Sequence, residues 1–190
     1  MGLAQSPLEF DARALEAVFN DCFLVSEHTR LVGGAAEPLY QPAAQPGGIH
    51  LLFYREDFFA SALHETAHWC IAGPARRRQA DFGYWYAPEG RDSQQQRAFE
   101  AVEVKPQALE WLFSLACGYP FQVSIDNLDA QSGRLPDTGA FRQAVAIEAR
   151  RRRDNGLPPR AARFFAALAR HFGSAVSPID LHLDAEALAR

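Results

Sequence analysis

The sequence predicts an α+β fold, a small mixed sheet flanked by helices in a single domain of residues 1–190, and two observations carry that expectation. Windows with apolar residues three and four apart recur between short apolar runs rich in strand formers. The chain also has 48% hydrophobic and 12% aromatic residues in 190, enough to fill one sizeable core.

Residues 10–23 set Leu15, Val18, Phe19 and Cys22 at helical spacing, which predicts a first amphipathic helix. Residues 32–48 are crowded with Gly and Pro and read as loops or short extended pieces around Leu39 and Tyr40. Residues 49–54 form a short apolar strand run that leads into a helix over 58–72, with Asp57 as its cap and Gly73-Pro74 as its stop. Residues 81–86 are aromatic enough for a second strand, and 121–125 for another. A long helical pattern begins near Ser93 with an expected kink or restart at Pro106, and two further helices are expected over 141–153 and 159–172.

Composition narrows the function classes. A net charge of −4 with 22% charged residues argues against a uniformly basic nucleic-acid binder and against an acidic disordered tail. Cys22, Cys70 and Cys117 form no CxxC pair, so neither a disulfide framework nor a sulfur-ligated zinc is expected, and a reducing cytoplasm fits best. No apolar run is long enough to span a bilayer, so no membrane partner is expected. The arginine runs at 76–78 and 150–153 read as solvated faces with some capacity to steer an acidic protein.

The segment that carries chemistry is His64-Glu65-Thr66-Ala67-His68. Residues four apart share a helix face, so His64 and His68 can aim imidazole nitrogens at one metal ion while Glu65 projects beside them as a proton-handling carboxylate. A third ligand is expected from the next major helix, where Glu100 and Glu103 lie three residues apart. Glu103 is the choice because Pro106 bends the chain just past it, with Glu100 as a supporting carboxylate. Two histidines and one carboxylate suit either zinc with an activated water or ferrous iron with dioxygen, and the motif by itself points to a zinc peptidase of the zincin type with Glu65 as base.

The run ALHETAHWCIAGPARRRQADFGYWYAPEGRDSQQQRAFEAVEVKPQALEWLF, followed by GYPFQVSIDNL, resembles the elongation factor P hydroxylase family of bacteria. The resemblance implies a non-haem iron monooxygenase that hydroxylates the β-lysylated lysine of translation elongation factor P. His64, His68 and Glu103 would then hold Fe(II), dioxygen would be the co-substrate, and Glu65 would deliver protons; the zincin-like helix would be a peptidase scaffold reused. The electron donor is not specified by the ligand set. Tyr84, Trp85 and Tyr86 are candidates for lining a channel for the long modified side chain.

Overall fold

The computed structural model describes residues 10–81, 92–124, 138–174 and 176–189. Its α+β architecture places five α-helices around a three-stranded mixed sheet. Helix α1, Ala12–Phe23, starts at Asp11, whose carboxylate accepts from the Arg13 backbone N–H at 2.9 Å, and buries Leu15, Val18, Phe19 and Cys22 as its spacing requires.

Strands β1 (Thr29–Ala35), β2 (Leu39–Gln41) and β3 (His50–Arg55) follow, in sheet order β1-β3-β2. β3 is central, parallel to β1 and antiparallel to β2. The register sets Leu31, Leu52 and Tyr40 in one row across the sheet, all buried, so a single line of side chains joins the sheet to the helical core.

β1 corrects the sequence expectation, which placed extended pieces within 32–48 only around Leu39 and Tyr40. Gly33-Gly34 hides the strand from any alternation rule, and tertiary partners supply what periodicity lacks. Along the edge of β1, Asn20 Oδ1 accepts from the Leu31 N–H at 3.1 Å and Glu16 Oε1 from the Gly33 N–H at 2.7 Å, so α1 satisfies donors that a sheet edge would leave open. The same Glu16 oxygen accepts from the Tyr54 hydroxyl at 2.9 Å. Gly33 is required there: a Cβ would stand 2.5 Å from that hydroxyl oxygen.

Helix α2, Phe59–Ile71, lies against β3 and α3 and is bounded by Phe58 rather than by an Asp57 side-chain cap. Helix α3, Ser93–Cys117, opens with a capping box of Asp92 and Gln95 and runs unbroken through Pro106, so the expected restart does not occur. Tertiary packing on α2, α4 and α5 holds the turn that proline alone would weaken. α4, Gly139–Asn155, and α5, Pro159–His171, fall where the periodicity placed them.

Residues 121–124 adopt no strand. Tyr40 bridges to Asp81 through two backbone hydrogen bonds, while the rest of the aromatic run, including Tyr84, Trp85 and Tyr86, and residue 125 lie outside the described residues. The arginine runs are mixed: Arg76, Arg78 and Arg151 are exposed, as a solvated face requires, while Arg77, Arg150, Arg152 and Arg153 are at least partly buried. Arg150 and Arg153 donate to the Leu183 and Leu181 carbonyls and tie the C-terminal segment to α4, and Arg151 and Arg152 pair with Glu148. Arg76 pairs with Asp81, and Arg77 with Glu27. No described helix is long and apolar enough to cross a membrane.

Candidate metal centre

α2 is built to carry polar groups inside a core. Ala62, Leu63, Ala67 and Trp69 are buried around the motif, and the buried Thr66 hydroxyl donates back to the Ala62 carbonyl at 2.7 Å. The C-terminal end of the helix is held by Arg160, whose guanidinium donates to the carbonyls of Trp69, Cys70 and Ala72 at 3.0, 3.1 and 2.5 Å. It also stacks over the Trp69 ring at 4.6 Å. A cation placed on the last carbonyls complements the helix dipole and fixes the helix one turn from His68.

On the face toward α3, His64 Nε2 and His68 Nε2 are 3.1 Å apart. Glu103, only 1% exposed, reaches between them from α3: its Oε1 is 3.2 Å from His68 Nε2 and its Oε2 is 3.5 Å from His64 Nε2. Ligand atoms from His64, His68 and Glu103 all lie within 4.8 Å of one another. Glu100, the other carboxylate considered, accepts from Gln96 at 3.0 Å along its own helix and is outside this group.

These residues fit a cation on two counts. Ligands about 2.1 Å from one ion and roughly a right angle apart stand about 3 Å from each other, the separation seen between the imidazole nitrogens. Glu103 Oε2 is buried with no hydrogen-bond partner among the described residues, an arrangement that is costly unless a positive charge faces it.

The comparisons with known proteins decide the family. The sequence model described as elongation factor P hydroxylase matches residues 18–182. A curated relative from Haemophilus influenzae, named elongation factor P lysine hydroxylase, is 45% identical over 161 residues, covering 85% of this chain and 89% of its own length. The chain belongs to the elongation factor P hydroxylase family. With that membership the zinc-peptidase reading of the motif is left without support.

In this member of the elongation factor P hydroxylase family the electrostatics of the centre follow from burial and pairing. Burial works against a charge on His64, but Glu110, at 2.8 Å from Nδ1, together with the charges of Glu103 and Glu65, outweighs that and raises the imidazole to about 10. Glu103 goes the other way: burial opposes ionisation, yet hydrogen bonds from His68 and Gln107 and the charge of both imidazoles hold it down at about 2. Glu65 is raised, chiefly by burial. Proton and metal therefore compete for the space between the imidazoles.

A stability consequence follows for the metal-stripped protein. His64 is raised from its ordinary 6.5 to about 10, so its ion pair contributes fully below 6.5 and is lost as pH rises through 10. The urea midpoint is expected to fall across that alkaline window, and the fall should disappear in His64→Gln. An alkaline limb of the same size in the variant would refute it.

Sequence reasoning missed two parts of this centre. Glu110 sits seven residues after Glu103 on the same face of α3, a spacing that could have been tested once Glu103 was chosen. Arg160 comes from the far end of the chain, and no local signal marks it. A cleft beside the centre is lined by Tyr40, Leu52, Glu65, His68, Trp69 and Arg77, so the motif helix forms its floor and the sheet one wall.

Proposed function

We propose that this protein is an iron-dependent monooxygenase of the cytoplasm that hydroxylates the modified, β-lysylated lysine of elongation factor P. The observation that supports it is the convergence of His64, His68 and Glu103, two imidazoles and one buried carboxylate, in a chain of this family. A relative that covers most of the chain carries the name of a lysine hydroxylase of the same factor.

His64 and His68 would hold Fe(II) through Nε2, and Glu103 through its carboxylate. Iron bound there would supply the one chemistry that side chains lack, dioxygen activation for attack on an unactivated C–H bond. In the overall reaction one oxygen atom enters that bond and the other leaves as water, with two electrons from a cellular reductant and two protons. Tyr40, Leu52 and Trp69 supply the apolar part of the cleft lining, against which an aliphatic stem would pack. Glu65 lies on the cleft floor beside His68, and burial favours its protonated form, so its carboxyl can give up a proton there.

Anaerobically reconstituted protein, mixed with β-lysylated elongation factor P, air and a reductant, is expected to add the mass of one oxygen atom to the modified lysine. Chelation should abolish the addition and Fe(II) restore it. Glu65→Gln should slow the reaction while metal is retained. An iron-loaded protein that leaves the factor's mass unchanged would overturn the reading.

A further inference from the structure

The His64 ring is gripped from both sides. Its Nε2 faces Glu103, and its Nδ1 lies 2.8 Å from Glu110 Oε2, the shorter of the two contacts. Both carboxylates come from α3, two turns apart, and both are buried. A carboxylate can only accept, so Nδ1 carries a proton, and a cation that displaces the proton on Nε2 finds that nitrogen as the ring's lone-pair donor toward the group formed with His68 and Glu103.

We propose that Glu110 is a positioning residue of the metal centre that selects the Nδ1–H tautomer of His64 and supplies the second negative charge the site needs to hold a divalent cation. This rests on the metal-binding reading above. The charge argument is a count. A dication held by neutral imidazoles and Glu103 carries a net +1 into a largely buried site, and Glu110, in contact with the His64 ring, is the carboxylate placed to offset it. Glu110 brings the total to zero, which removes the desolvation penalty of an uncompensated buried charge. It also makes the imidazole a stronger donor, because a carboxylate on the distal N–H pushes electron density toward the ligating nitrogen.

Geometry gives a second reason. His64 sits mid-helix on α2 with freedom about χ2, and a ring flip would exchange Nδ1 and Nε2. Glu110 makes one orientation preferred before any ion arrives. The centre is thus pre-shaped by one helix face, with Glu103 on the ligand side of the ring and Glu110 on the far side. Gln107 lies between them on α3 and anchors it by exchanging two hydrogen bonds with the Ser124 backbone, at 2.6 and 3.0 Å.

The test titrates metal-stripped protein with Co(II) under argon, following the visible d–d bands, and needs no elongation factor P. Glu110→Ala and Glu110→Gln are each expected to bind Co(II) about 10- to 100-fold more weakly than wild type, with altered band intensity. Gln keeps an acceptor for Nδ1–H without the charge, so its loss should be the smaller, and its near-identical volume guards against misfolding. Far-UV circular dichroism checks that each titrated protein is folded. A purely structural role would lower the melting point and leave affinity and bands alone. Folded Glu110→Gln and Glu110→Ala proteins that bind Co(II) as tightly as wild type, with unchanged bands, overturn the role of Glu110 only. Wild type that takes up no Co(II) overturns the metal-binding reading as well.

Discussion

Glu103→Ala is expected to leave a folded protein that no longer retains metal and adds no oxygen to elongation factor P. Glu103 is 1% exposed, and both of its oxygens face imidazole nitrogens, so the change removes the proposed ligand, the one carboxylate among the described residues that is placed between His64 and His68. Losing an outer partner of a metal site costs about 10- to 100-fold in affinity, and losing a direct ligand should exceed the upper end of that range. Metal content after gel filtration, read by elemental analysis, measures it. Glu100→Ala is the matched control, since that side chain bonds to Gln96 and stands outside the group, and it should retain metal. Equal retention in both variants would refute the ligand assignment.

Trp69→Ala should be the most damaging single change to stability, about 3–5 kcal/mol by urea unfolding. Trp69 is 3% exposed, packs its ring 5.1 Å from Phe19 and 4.8 Å from Phe23, and supports the Arg160 guanidinium on its face. Truncation opens a cavity between α1 and α2 and removes the platform of the cation that closes α2, so metal retention at His68 should weaken with it. Trp69→Phe separates these effects. The indole Nε1 is buried with no hydrogen-bond partner among the described residues, and Phe keeps most of the ring while deleting that donor. Its cost should stay under about 1.5 kcal/mol. A Phe variant as unstable as Ala would show that the indole N–H has a role the packing does not reveal.

The helices were legible because each writes its own burial into its spacing. Leu15, Val18, Phe19 and Cys22 announce α1, and His64 and His68 announce a shared face of α2 in the same way. Glu103 was reachable only by combining that face with the position of Pro106; the helix passes through the proline without restarting, and α3 packs on α2.

β1 was not legible, since Gly33-Gly34 breaks alternation, and its edge donors are satisfied by Glu16 and Asn20 from another element. The arginine runs were legible only in part, with Arg76, Arg78 and Arg151 exposed as a solvated face requires. A sequence shows charge but not the carbonyls and carboxylates that Arg150, Arg153 and Arg77 find across the fold.

By itself the sequence determined the helix that bears the histidines, the spacing that lets them meet, and the kinship of its central run. Those depend on local periodicity and on residue chemistry, which a chain carries whether or not it is folded. Only the tertiary structure decided that Glu110 stands behind His64 and that Arg160 closes α2 from 88 or more residues away. Long-range pairs are chosen by how helices pack, and packing is a property of whole faces rather than of any one stretch of chain.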